Sequence, residues 1–258
     1  MCYLLSNHKV FICFAAEDRY TIAEPIVYHL KNYGIDVWYD RQSLLLGDNR
    51  IEKNLIQGAG ECTYAIAIIS NNTADSVCTM EELAIIQERH HNNNIVIFPI
   101  LYEIEPNNIP YNLVWIKQLI FKEVDRSSGT RDICNHIACR ITSNILSTLR
   151  YKKIQEVLDK PSNKVPIIVR KLLHCYCLID TNNLNARITM LYSTYLTIID
   201  FDSISDRPLC KLSSKIFERL FSETSLNISI DYRELWLLEN TICILINDYL
   251  NYCSESSI

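Results

Sequence analysis

Along the first half of the chain, short unbroken apolar runs alternate with stretches whose apolar residues recur every three or four positions. "KVFICFA" (Lys9 to Ala15) is such a run and predicts a strand buried on both faces. Thr21 to Tyr33 then places Ile22, Ile26 and Leu30 four apart, the period of a helix. Thr21 and Glu24 have the spacing of a capping box, and Gly34 supplies the stop. "IDVWYD" (Ile35 to Asp40) predicts a second strand, "RQSLLLGDN" a loop, and Ile51 to Gln57 a short helix. "YAIAIIS" (Tyr64 to Ser70) predicts a third strand, followed by a helix over about Thr79 to His91. "NIVIFPILY" (Asn94 to Tyr102) predicts a fourth strand and "WIKQLIF" (Trp115 to Phe121) a weaker fifth. A helix over Thr130 to Leu149 closes the series.

Strict alternation of strand and helix implies an α/β unit whose parallel sheet is covered on both faces. Sites in such sheets form beyond the carboxyl ends of the strands. Those ends are Phe14-Ala15, Asp40, Ser70 and the loop after Ile100. "SVCTMEEL" (Ser76 to Leu83) lies a short loop past Ser70, which puts its adjacent acids, Glu81 and Glu82, on that rim.

Past about residue 150 the strand signals cease. "YKKIQEVLDK", "KVPIIVRKLLHCYCLID", "NARITMLYSTYLTIID", "LCKLSSKIFERLF" and "YRELWLLENTICILINDYL" all read as helices. Turn signals at Pro161-Ser162-Asn163, Thr181-Asn182-Asn183, Asp206-Arg207-Pro208 and Ser225 to Asn227 separate them. The expected organisation is an α/β domain over 1–150 and a smaller all-α domain over 151–258, for oligomerisation or sensing. The last of these helices, Tyr232 to Leu250, has enough apolar surface for its own core and a partner.

With 48% hydrophobic and 21% charged residues among 258, the composition is that of a soluble, core-forming chain. A net charge of -5 without a basic block argues against nucleic acid. No apolar stretch reaches the ~18 residues of a membrane span, and "MCYLLSNHKVFICF" lacks the basic start and cleavage site of a secretion signal. The 11 cysteines include no C-x-x-C pair, so buried thiols in a reducing cytoplasm are expected, with no metal site. His90-His91 fits a helix end placed favourably for the dipole.

Four boxes, in order, carry a resemblance. "VFICFAAED", "GIDVWYDRQSLLLGD", "IEKNLIQGAGECTYAIAIIS" and "SNNTADSVCTMEEL" resemble the opening strand, the second strand with its BB loop, the helix-strand segment and the glutamate box of a TIR domain. The kind is that of bacterial antiphage, Thoeris-like proteins. The resemblance covers residues 9 to about 125 and implies a flavodoxin-like fold with a five-stranded parallel sheet. Its register aligns Ser70 and Ser76 with the family's two serines and Glu82 with the glutamate that NAD-cleaving members need for catalysis. Glu81 falls on a variable position. Phe14, Ala15, Asp40, Leu44, Gly47 and Cys78 fall on substrate-binding positions. Two of these depart from the family: Cys78 stands where a tryptophan is usual, and Ala15 where a serine is.

The resemblance further implies an NAD+ glycohydrolase or cyclase, releasing nicotinamide and yielding ADP-ribose or a cyclic ADP-ribose-type signal. NAD+ is then substrate and no cofactor is expected. Partners would be other TIR domains, through the BB loop (Arg41 to Asp48), and a separate effector protein that binds the product; no membrane is involved.

Each of these residues also has a plainer reading. Thr79-x-x-Glu82 fits a capping box, and the resemblance is what puts catalysis ahead of it. Asp40 fits a strand-end turn, Phe14 and Trp115 fit the core, and Cys78 fits a small buried thiol better than a nucleophile at a helix start. A non-catalytic scaffold that assembles with other TIR domains is the alternative function, favoured by the missing tryptophan and serine. A receiver domain fits less well, because Phe14-Ala15-Ala16 replaces the acid cluster it requires.

Overall fold

The computed structural model describes residues 8–160, 162–200, 207–225 and 229–255. The turn signals at Pro161, Asp206 and Leu226-Asn227, and the first seven residues of the opening stretch, lie outside them. The chain divides into two compact units, one of Met1–Lys31 with Ile35–Cys134, the other of Asn32–Gly34 with Asn135–Ile258. This division falls ahead of the linker expected near residue 150.

The first unit is built on five parallel strands in the order β2-β1-β3-β4-β5. They are β1 (Val10–Cys13), β2 (Val37–Trp38), β3 (Tyr64–Ile69), β4 (Val96–Tyr102) and β5 (Lys122–Val124). β1 pairs with β3 from Val10↔Tyr64 to Cys13↔Ala67, and β3 with β4 from Tyr64↔Val96 to Ile69↔Leu101. Every residue of β1 and β3 is buried, so their lack of alternation reflects burial on both faces. Strand order reverses at β1 and β3, which makes their carboxyl ends a topological switch point.

Helix α1 (Glu24–Asn32) continues from a π-helical turn, Arg19–Ala23, so the helical stretch begins before the predicted cap. Thr21 caps nothing there, its hydroxyl donating to the Asp18 carbonyl at 3.2 Å. Gly34 does end the helix, with φ +77° and an Ile35 N–H to Leu30 C=O bond of 3.0 Å, a Schellman closure. A four-residue α2 (Asp40–Ser43) follows β2, and α3 spans Val77–His91.

The fifth strand is a correction. "WIKQLIF" does not form it; residues Tyr111–Gln118 are 3₁₀ turns that start after Pro110, and the strand lies beyond them at Lys122–Val124. Leu113 and Ile116 are buried three residues apart, the 3₁₀ period, while Trp115, Leu119 and Phe121 pack partly buried against the core. The apolar run thus caps the core, and the short edge strand pairs with β4 through backbone groups alone.

At the amino-terminal pole of the sheet, the Arg89 guanidinium donates to three backbone carbonyls: Ala59 at 2.7 Å, Cys62 at 2.6 Å and Asn94 at 3.1 Å. These belong to the approaches to β3 and β4.

The second unit is helical, with α4 (Arg131–Ser147) from Asn135 on, α5 (Ile154–Asp159), α6 (Ile167–Leu178), α7 (Leu184–Ile199), α8 (Pro208–Ser225) and α9 (Tyr232–Glu255). α9 packs against α5, α7 and α8. Its Leu237, Leu238, Ile242, Ile244, Leu245 and Ile246 are buried and point to every side, as in a central helix. Its buried polar residues have partners in the same unit. The Asn247 amide donates to the Tyr151 carbonyl at 2.8 Å and accepts from the Tyr151 N–H at 3.0 Å, and Glu234 accepts from Asn135 at 2.8 Å. No helix among the described residues is long and apolar enough to cross a membrane.

The described cysteines are free thiols. Cys13, Cys62, Cys134, Cys139, Cys210 and Cys243 are buried as expected, but Cys78, Cys175 and Cys177 are exposed.

Candidate functional site

The switch point gathers the ends of β1 and β3 beneath the start of α3. Ser76 caps that helix, its hydroxyl accepting from the Thr79 N–H at 3.4 Å. Thr79 is therefore inside the first turn and is not a cap. Its hydroxyl donates to the Phe14 carbonyl at 2.9 Å, and the Cys13 thiol donates to the Thr79 carbonyl at 3.7 Å. These two bonds fasten α3 to the end of β1. They also decide between the adjacent acids. Glu81 faces outward and pairs with Arg50. Glu82 faces inward, only 7% exposed, and accepts from the Asn54 side-chain amide at 2.5 Å.

Burial pushes the Glu82 carboxyl from its ordinary 4.5 up to about 7. The neighbouring Cys13 thiol and the Asn54 hydrogen bond act against this, the Asp40 charge adds to it, and Arg50 opposes it. The Cys13 thiol is in turn pushed well up by burial and by its acidic neighbour. Glu82 is thus a carboxylate poised to ionise near neutrality on the rim of the sheet.

Ala15 is fully buried, where it precedes the 3₁₀ turn Ala16–Asp18. Asp18 is buried too and accepts from the Ser70 hydroxyl at 2.5 Å and the Asn72 amide at 2.8 Å, joining the tips of β1 and β3. Asp40 begins α2 and is gripped by both Arg19 nitrogens at 2.8 Å. The guanidinium lies 5.1 Å over the Phe14 ring and 5.7 Å over Tyr39, and the Asp40 carboxylate holds it more firmly protonated. Arg41 donates to Glu24 at 3.1 Å and to the Tyr20 hydroxyl at 3.3 Å.

An open cleft of about 380 Å³ is lined by Arg19, Tyr20, Asp40, Arg41 and Leu44. Of the residues expected at the site, Asp40 and Leu44 line it, and Phe14 adjoins it beneath Arg19. Glu82 is not part of the lining; it lies near enough for the Asp40 charge to act on it. Gly47 sits at the tip of the loop, φ +98° in open space, with the Leu45 N–H donating to Asp48 at 2.8 Å. Glycine in the third position suits this turn. Cys78 is exposed on the first turn of α3, outside the lining, and is not the buried thiol expected.

Residues 10–131 match the family model of the TIR domain. The first unit is a TIR domain. Curated proteins that resemble it include the following three. The NAD(+) hydrolase TcpC of Escherichia coli O6:H1 is 31% identical over 105 residues, 40% of this chain and 34% of that protein. The 2' cyclic ADP-D-ribose synthase BtTIR of Bacteroides thetaiotaomicron is 33% identical over 103 residues, 40% of this chain and 36% of its own length. AbTIR of Acinetobacter baumannii, named likewise a 2' cyclic ADP-D-ribose synthase, is 28% identical over 103 residues, 40% and 38% of the two chains. The chain spans little more than a third of these relatives, 34% to 38% of their lengths, and the likeness lies in the TIR domain.

Sequence reading of the TIR domain passed over Arg19, Tyr20, Arg41 and Asn54. A signal for Asn54 exists: it is four residues before Gly58 in "IEKNLIQGA", so both fall on one face of that helical segment, and both are buried. Arg19 and Arg41 carry no comparable mark, because a surface arginine beside a strand end is ordinary.

Proposed function

We propose that the TIR domain cleaves the nicotinamide–ribose bond of NAD+, with Glu82 as the catalytic carboxylate. The observation that carries this reading is a solitary buried glutamate on the rim of the sheet, half-ionised near pH 7 and next to a cleft that bears two arginines.

The chemistry needs little else. Nicotinamide leaves as a neutral molecule, because cleavage returns the bonding electrons to a cationic ring. No acid has to protonate it, unlike O-glycoside hydrolysis with its two carboxyl groups. The site must place negative charge beside the ribose as it turns into an oxocarbenium ion, and ionised Glu82 supplies that charge. Water then gives ADP-ribose, and a hydroxyl of the same nucleotide gives a cyclic product; exclusion of water selects between them. Arg19 and Arg41 suit the diphosphate, and Phe14, Asp40, Leu44, Gly47 and Cys78 surround the nucleotide, with the buried Ala15 behind them, as the loop from Arg41 to Asp48 closes. That closure, completed by a neighbouring TIR domain, brings the cleft over Glu82. Production of an antiphage nucleotide signal in the cytoplasm, read by a separate effector, is the setting this reading extends to.

The test is nicotinamide release by the purified chain, followed by mass spectrometry of the nucleotide product. Glu82→Gln is expected to lose at least ~10²-fold in kcat, and Glu81→Gln to retain activity. A second reading, a non-catalytic scaffold, draws on the absence of Glu82 from the cleft lining and on Cys78 at the tryptophan position. Wild-type protein with no turnover at any concentration would establish the scaffold instead.

A further inference from the structure

We infer that Asn54 is the positioning residue of Glu82, and that the indole of Trp38 sets the direction in which the Asn54 amide faces. The inference rests on the proposed reading of Glu82.

An asparagine side chain is ambiguous until its partners fix it, since its oxygen and nitrogen can exchange places. Here one partner is unambiguous. Trp38 Nε1–H can only donate, and it points at Asn54 Oδ1 from 3.3 Å. The Nδ2 group is thereby turned toward Glu82, where it donates to Oε1 at 2.5 Å. Asn54 is itself buried and so is its bond to Glu82, while the bond from Trp38 is partly buried.

The neighbouring sequence makes room for this relay. Asn54 and Gly58 lie on one face of the π-helical segment Ile51–Ala59. A Cβ on Gly58 would stand 2.9 Å from Trp38 Nε1 and 2.8 Å from Phe11 Cε2. Glycine there lets the indole edge reach Asn54. From the other side, the Lys9 ammonium lies 4.3 Å over the Trp38 ring and helps fix its plane.

The consequence is chemical. A carboxylate in a desolvated site tends to keep its proton, and a protonated Glu82 has no charge to offer the ribose cation. The Asn54 donor favours the ionised form and holds one oxygen in a fixed place. The other groups acting on Glu82 are the Cys13 thiol, the Asp40 carboxylate and the Arg50 guanidinium, the last paired with Glu81. Of these neighbours, the Asn54 amide is the one that donates a hydrogen bond to Glu82 among the described residues.

The experiment is a ¹³C titration of the glutamate carboxyl groups in the full chain, with Glu82 identified by its loss in Glu82→Gln. pH profiles of kcat and KM for NAD+ are taken alongside. Asn54→Leu is expected to raise the Glu82 midpoint by about one pH unit, the effect of one hydrogen bond to a charged group. Asn54→Asp, which keeps the volume and guards against a packing artefact, is expected to raise it too. In Asn54→Leu, kcat at pH 7 falls about fivefold and recovers at higher pH while KM holds within about twofold. Trp38→Phe moves the midpoint in the same direction by less.

An unmoved midpoint in both Asn54 variants overturns the inference, as does a raised KM at constant kcat, which would make Asn54 a substrate contact. Failure of the proposed function looks different. There the wild-type chain releases no nicotinamide, while the Glu82 titration still responds to Asn54.

Discussion

At the scale of single residues, the physical oddity is a carboxylate kept out of water. The Glu82 midpoint near 7 lies above its unfolded value of 4.5, so between these pH values the folded chain holds a proton that the unfolded chain has lost. Stability therefore declines as pH rises from 4.5 and stays low above 7. Glu82→Gln removes this penalty and is expected to stabilise the chain by up to ~3 kcal/mol at pH 8 and by little at pH 4.5. Urea unfolding at the two pH values measures it, and equal effects at both would contradict it. The same ionisation gives the proposed reaction a rising acid limb with its midpoint near pH 7. The register of the glutamate box, set by Ser70 and Ser76, singled out Glu82, and Glu82 is the buried one of the two glutamates. The partners of Glu82 were not legible. Cys13 and Asn54 read as strand and helix filler, and only the fold brings residues 13, 54 and 82 together.

At the scale of elements, the predicted strands survive wherever an apolar run is buried on both faces, as in β1, β3 and β4. Their ends contract, because pairing stops before hydrophobicity does: Ala15 is fully buried yet already past the last paired residue of β1. The fifth strand was misplaced for the converse reason. Periods of two and three cannot be told apart in a short run such as "WIKQLIF", while the true edge strand, with its half-buried Lys122 and exposed Glu123, has no apolar signature. Close approach between elements was equally silent. The helical segment Ile51–Ala59 contacts β1 and β2 across Gly58, where a methyl group would collide with Phe11 and Trp38. Gly58→Ala is expected to cost ~1–3 kcal/mol by overpacking. A lower urea midpoint at unchanged m-value would measure that cost, and an unshifted midpoint would show that the interface yields freely.

At the scale of the whole molecule, two units with different architectures share one chain, and the loop tip of the TIR domain carries two exposed apolar side chains. Leu45 is 79% exposed and Leu46 fully so, flanking the glycine that turns the loop. If closure over Glu82 needs a neighbouring copy, specific activity will rise with protein concentration. Leu46→Asp is then expected to abolish that rise without lowering the melting temperature, as light scattering and calorimetry together would register. Such movement must not loosen the sheet. Arg89, bonded to three carbonyls at the far pole, has its charge half removed from water, and burial lowers its pKa. It acts as an internal rivet that ties the end of α3 to the approaches of both β3 and β4. Should the loop at the opposite pole open and shut, this clamp would let the strands beneath keep their spacing, much as a jaw works against a fixed skull.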